Sequence, residues 1–229
     1  MQRTTIRLHV WGDRACFTRP EMKVERVSYD VITPSAARGI VEAIHWHPQI
    51  RWVIDRIGVL KPIQVTSIRR NEVGTTVPAG AVSRAMNAES IQGLAINVED
   101  NRQQRAGLIL KDVAYVIEAH FEQTPRWDDK RDSIEKHLGM FLRRARQGQC
   151  FHQPSFGLRE FAAHFRLADS TTPVPIPETR DLGMMLLDMQ FTPRLDEPAI
   201  YDSTPKFFRA RMITGVIQVP RMDDPAVRK

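Results

Sequence analysis

Ile6, Leu8 and Val10 alternate with Arg7 and His9, a period of two that predicts a half-buried strand. Gly12 and Asp13 supply turn chemistry after it. Thr33-Pro34-Ser35 reads as a helix start, with Thr33 as cap and Pro34 in the first helical position. Ala37, Ile40, Val41 and Ile44 then recur on one helical face, and Pro48 stops the helix. Residues 52–60 and 62–68 are apolar and β-branched and predict strands. The stretch GLILKDVAYVIEAHFE, 107–122, predicts a strand pair or one long strand. Residues 70–105 are polar and carry Gly74, Pro78, Gly80 and Gly93, which predicts a long, partly mobile insertion. A second helix is expected over about 130–147, with Ile134, Leu138, Phe141 and Leu142 inward and Gly148 as its stop. Further strands are expected at 156–166, 183–191 and 207–219, with the Pro-rich TTPVPIPE as a stiff linker and RMDDPAVRK as a frayed tail.

Strand, helix, strand, strand, helix, strand is the ferredoxin-like plan. The expected fold class is therefore α+β: a ferredoxin-like (RRM-like) N-terminal domain over residues 1–165, with 70–105 inserted, and a smaller β-rich C-terminal domain over 166–229. The strands past residue 165 need a second sheet. No RNP-type aromatic signature occurs, so the base-stacking surface of RNA-recognition modules is not expected.

Composition narrows the chemistry. The 229 residues suffice for a real core. No apolar run approaches the roughly 18 residues that span a bilayer, so no membrane partner is expected and the expected compartment is the cytoplasm. Cys16 and Cys150 are the only cysteines and form no CxxC pair, which disfavours a disulfide scaffold and a cysteine zinc site. Seven histidines include His45 and His47, two apart, but no HExxH; no metal or other cofactor is expected. The formal net charge of +6 favours polyanionic partners, because each neutralised phosphate releases counterions. Asp128/Asp129 and Asp223/Asp224 sit in loop and tail contexts and read as solvated groups rather than a two-metal site.

The second helix holds the most suggestive residues. At about 100° per residue, Lys136 and Arg143 point away from the apolar face, and His137 and Arg144 lie on the adjacent flank. The result is a basic ridge with a histidine beside it. Cutting RNA without a metal needs a base for the 2′-hydroxyl, a cation for the extra charge on phosphorus and an acid for the departing oxygen. Lys136 and His137 suit those tasks, and His45 near the end of the first helix could supply a second imidazole. A solvated helix face and a boundary histidine explain the same residues without any chemistry.

Four blocks carry a resemblance. They are WGDRACFTRPEMKVERVSYDVITPSAARGIVEAIHWHP (11–48), LKPIQ (60–64), LKDVAYVIEAHFE (110–122) and KHLGMFLRRARQGQCFHQPSFGLREF (136–161). In order and spacing they resemble the CRISPR-associated Cas-five family of the Dvulg subtype, found in type I-C systems. The resemblance implies a ferredoxin-like domain with a β-rich companion, and an endoribonuclease that cuts precursor CRISPR RNA within each repeat, next to a hairpin. It implies that the protein then stays with the RNA in the interference complex, beside the type I-C backbone and large subunits. Its implied site is a tyrosine at the end of the first helix and a Lys-His pair. The pair falls on Lys136 and His137, whereas the tyrosine position holds His45.

The expected catalytic residues are therefore His45, Lys136 and His137, with Arg143 and Arg144 binding RNA phosphates. The expected products are a 2′,3′-cyclic phosphate and a 5′-hydroxyl. The alternative is a non-catalytic subunit that binds the guide RNA 5′ handle, with nonspecific contact to double-stranded DNA. A monomer is expected in isolation.

Overall fold

The computed structural model describes residues 5–22, 24–193 and 201–228. In chain order its elements are β1 (Ile6–Ala15), β2 (Arg26–Val27), α1 (Pro34–Ile44), β3 (Ile50–Val59), β4 (Val65–Val73), α2 (Ala79–Asn87), α3 (Val98–Asn101), β5 (Arg102–Gln123), α4 (Ile134–Arg146), β6 (His164–Leu167), β7 (Arg180–Pro193), β8 (Tyr201–Ile213) and β9 (Val216–Gln218). The fold is mixed α/β and dominated by antiparallel sheet. The main strand path runs β6-β1-β5-β3-β9-β8-β7, with β2 and β4 also paired to β5.

The predicted helix start is local chemistry realised. Thr33 Oγ1 accepts from the Ala36 backbone N–H at 3.3 Å, satisfying one of the donors a helix N-terminus leaves open. Ala37, Ile40, Val41 and Ile44 are all buried, as their spacing predicts. Helix α1 packs against β3 and β7, and α4 against β6 and α1. Leu8 and Val10 of β1, Ile117 of β5, Trp52 and Ile57 of β3, and Phe141 of α4 meet in the core between them. Phe141 lies 5.0 Å from the Trp52 ring, centroid to centroid; truncating a buried phenylalanine of this kind to alanine costs about 3–5 kcal/mol.

Residues 107–122 resolve into one long strand rather than two. The C-terminal half of β5 lies between β1 and β3, and its N-terminal half pairs with β4. Asp112 sits between these halves at φ 52°; it and Asp13 opposite it drop out of the pairing with β1, and the register is the same on either side. The expected insertion 70–105 holds the end of β4, both short helices and the start of β5.

Other expectations are corrected. Of the strand expected at 156–166, only His164 onward is strand; Ser155 and Ala162 make an isolated bridge before it. The strands past residue 165 form no separate sheet, because short β9 pairs with β3 on one side and β8 on the other. The turn between β8 and β9 is tight, with Thr214 at φ 49° and Gly215 at φ 74°. A Cβ on Gly215 would lie 2.3 Å from the Ile176 carbonyl oxygen, so only glycine fits there. The tail is tied as well, since Phe207 and Arg228 exchange backbone hydrogen bonds of 2.8 Å.

Candidate active site

Helix α4 presents a different face from the one its apolar residues predict. Its buried residues are His137, Phe141 and Ala145, spaced by four, while Leu138 and Leu142 are only half-buried. His137 is thus turned into the protein rather than lying on the flank of a basic ridge. The reason is the company it keeps. The rings of His45, His47, Trp127 and Phe121 surround it at centroid distances of 5.4, 5.2, 5.6 and 6.2 Å.

His45 reaches this point from the end of α1. Three of the carbonyls at the end of the helix, where the last turn leaves acceptors open, are taken here. Ala43 O accepts from Phe151 N at 2.8 Å, Ile44 O from Arg144 Nη1 at 2.9 Å, and His45 O from Trp52 Nε1 at 2.8 Å. These ties aim the His45 ring inward. His45 Nε2 lies 3.2 Å from His137 Nδ1, and His137 Nε2 lies 3.2 Å from Asp132 Oδ1. Lys136 Nζ donates to the same Asp132 oxygen at 3.2 Å and to the Arg131 carbonyl at 2.7 Å. Asp132 comes from the turn just before α4: its N–H donates to Asp128 O at 2.7 Å, and Ser133 caps the helix by accepting from Lys136 N at 3.1 Å.

The partners dictate a proton pattern. Arg144 can only donate, and its Nη1 makes a long contact of 3.5 Å to His45 Nδ1. His45 therefore carries its proton on Nε2 and donates to His137 Nδ1. His137 then carries its proton on Nε2 and donates to the Asp132 carboxylate. Burial first, then the Arg144 guanidinium and the neighbouring imidazoles, push His45 down to about 4, so it is neutral at physiological pH. Burial also lowers His137, outweighing the opposite pull of Asp132. For Asp132, desolvation opposes the charge, but hydrogen bonds from Lys136 and His137 prevail and hold its carboxyl below the usual range. The site is a line of neutral imidazoles between a guanidinium and a carboxylate, with an ammonium on the carboxylate.

The expected residues thus come together, with unequal access. His45 and His137 are each 1% exposed, whereas the Lys136 side chain is 46% exposed. Arg143 faces solvent. Arg144 is tied to Ile44 and His45 rather than projecting toward a phosphate. Asp132 and His47 escaped sequence reasoning. The available signals were the His-x-His spacing after α1 and a carboxylate next to the Ser133 cap.

A second feature also escaped it. An open groove of about 1050 Å³ is lined by Arg14, Arg69, Arg70, Lys111 and His164. Arg70 is paired with Glu160. Among the described residues, Arg14, Arg69 and Lys111 have no carboxylate within ion-pair distance, and all are exposed. At about 3.3 Å per residue along β5, Lys111 and Phe121 stand on the order of 30 Å apart, so no single phosphate reaches both groove and histidines.

Fold and site together define a mixed α/β chain with a buried carboxylate–histidine–histidine line and a separate basic groove. The chain belongs to the CRISPR-associated protein (Cas_Cas5) family, whose model matches residues 5–220. It is 56% identical over 221 residues to the CRISPR pre-crRNA endoribonuclease Cas5d of Mannheimia succiniciproducens, covering 94% of each chain. It is 41% identical over 226 residues to the protein of the same name from Thermus thermophilus, covering 94% of this chain and 91% of that one. Among solved structures, a functionally uncharacterized protein from Streptococcus mutans superposes with a TM-score of 0.67 at 22% identity, over 99% of this chain and 98% of that one. A chain of a CRISPR RNA-guided surveillance complex superposes with a TM-score of 0.51 at 14% identity, over 93% and 91%. These last two likenesses bear on the fold alone. No helix among the described residues is long and apolar enough to cross a membrane.

Proposed function

We propose that this chain is a metal-independent endoribonuclease that cleaves precursor CRISPR RNA within the repeat and then remains on the RNA as a subunit of the type I-C interference complex. The observation that carries the reading is the hydrogen-bonded line from Asp132 through His137 to His45, with Lys136 on the same carboxylate. The names of the two relatives, at 56% and 41% identity, supply the substrate class. The strand order β6-β1-β5-β3, with α1 and α4 packed on it, supports a ferredoxin-like reading of the N-terminal part. The expected setting is a cytoplasmic monomer that joins the backbone and large subunits.

The chemistry follows from the proton pattern. RNA entering over the exposed Lys136 displaces Asp132 from His137 Nε2. With Arg144 drawn from its long contact with His45 Nδ1, the His137 Nε2 proton passes to water, the His45 Nε2 proton moves to His137 Nδ1 and His45 Nδ1 takes a proton from water, so that both rings stay neutral and the His137 Nε2 lone pair is open. His137 Nε2 takes the 2′-hydroxyl proton as the 2′-oxygen attacks phosphorus. Lys136 stabilises the charge that builds on the phosphorane oxygens. The 5′-oxygen leaves with a proton from water, because His45, held down to about 4, has none to spare at neutral pH. His45 acts through His137: it holds the ring and the Nδ1 proton. Arg143 and the basic groove hold phosphates at a distance from the cut.

A second reading is a non-catalytic subunit that binds the 5′ handle, with contact to double-stranded DNA. One observation favours it: both imidazoles are covered in the free chain. The deciding experiment incubates the protein with its host's repeat RNA in excess EDTA, beside RNAs bearing single 2′-deoxy substitutions. One cut in EDTA, abolished by one 2′-deoxy position, supports the enzyme. Tight binding with no cut supports the second reading.

A further inference from the structure

We propose that His47, Asp132 and His137 form a binding site for a zinc-class divalent cation, and that occupation of this site switches RNA cleavage off. The inhibitory half rests on the reading of His137 as the base; the binding half does not.

The donor set is already gathered. One potential ligand atom from each of His47, Asp132 and His137 lies within 4.8 Å of the others. Donors about 2.0–2.2 Å from a tetrahedral ion stand roughly 3.3–3.6 Å from each other, and His137 Nε2 and Asp132 Oδ1 are 3.2 Å apart before any ion arrives. His47 Nδ1 is buried and has no hydrogen-bond partner. A buried, unpartnered imidazole nitrogen is costly, and a metal would satisfy the ring. Two imidazoles and a carboxylate suit zinc and its neighbours rather than magnesium or calcium, which prefer all-oxygen sets.

The surroundings complete the site. A metal-bound histidine usually donates its other ring N–H to an outer partner, which fixes the ring. His45 Nε2, 3.2 Å from His137 Nδ1, becomes that partner once Arg144 leaves His45 Nδ1 and the His45 proton sits on Nδ1 instead of Nε2. The Trp127 and Phe121 rings close the other sides of His137 and limit competing water. Lys136 shares Asp132 Oδ1 and would swing to solvent, which its half-exposed side chain permits.

Inhibition then follows from one lone pair. Both the base and the metal-bound form of His137 need Nε2 free of its proton and Nδ1–H directed at His45. The ion and the 2′-hydroxyl proton compete for the same nitrogen, and the ion also drives the Lys136 ammonium from its place.

The test uses the whole chain and zinc chloride as the probe. Calorimetric titration without RNA should show one equivalent bound with micromolar or tighter affinity, with a matching rise in unfolding temperature. His47→Ala, and His47→Gln as a check on folding, should weaken binding at least tenfold while leaving zinc-free cleavage of repeat RNA near the parental rate. Parental cleavage should stop at about one equivalent of zinc, return with EDTA, and persist in the His47 variants at the same zinc concentration. No zinc binding by the parental chain, or equal binding by both variants, would overturn the site. Binding lost with His47 but cleavage indifferent to zinc would uphold the ion site and overturn the placement of His137 at the reacting hydroxyl.

Discussion

The histidine line and the basic groove use ionisable residues in opposite ways. In the line, His45, His137 and Asp132 are buried and spend their polar atoms on one another. Burial keeps the imidazoles neutral and their protons assigned, as chemistry at a single atom requires. In the groove, Arg14, Arg69 and Lys111 are exposed and hold their charges in water. Such charges cannot direct a proton, but they hold phosphates over a wide surface. On the proposed reading, catalysis and grip therefore stand at different places along β5, and each should be breakable without the other.

The largest effect is expected at Lys136. Lys136→Ala should lower single-turnover cleavage by about 10²–10³-fold, the usual cost of removing one donor to developing oxyanion charge. Its RNA affinity, by gel shift, should stay within a few-fold of parental; an affinity loss that accounted for the whole rate loss would erase the contrast between the regions. The groove should give the converse. Arg14→Ala with Lys111→Ala should weaken repeat RNA binding by about tenfold and reduce the salt slope by about 1.4 if two single-strand phosphates are lost. Cleavage at saturating RNA should be unchanged, and a lower saturated rate would mean that the groove orients the scissile bond.

The smallest effect concerns a surface network outside both regions. A hydrogen bond from Arg51 first, then the nearby Arg221, hold the Glu122 carboxyl below its ordinary value. A carboxyl lowered on folding contributes stability above its unfolded value, about 4.3, and loses it as pH falls through the folded value. Glu122→Gln should therefore cost less than about 1 kcal/mol near neutral pH, since this pair is partly screened. Urea melts at falling pH should show the two proteins converging in acid. A difference that widened in acid would contradict the sign.

Much of the scaffold was legible in the chain. Thr33 and Pro34 mark the start of α1 because capping is local chemistry, and its apolar positions are buried as spaced. The face of α4 was not legible. A helical projection weighs apolar residues, and His137 counts as polar until burial suppresses its charge and makes it a core group beside Trp127 and Phe121. Asp132 becomes a partner of His137 only through the turn from Asp128, which no periodicity marks. The groove is assembled from β1, β4, β5, the loop before β6 and the first residue of β6, so no sequence window contains it. The strands past residue 165 were recognised, but their attachment depends on three-residue β9, too short to carry a pattern.

The account turns on His137, so the most direct measurement is the single-turnover rate of His137→Ala on saturating repeat RNA in EDTA, with binding and unfolding measured on the same samples. The account predicts a folded protein with near-parental affinity whose cleavage falls by about 10²–10⁴-fold, the range for loss of a general base. Cleavage within a few-fold of the parental rate would contradict it.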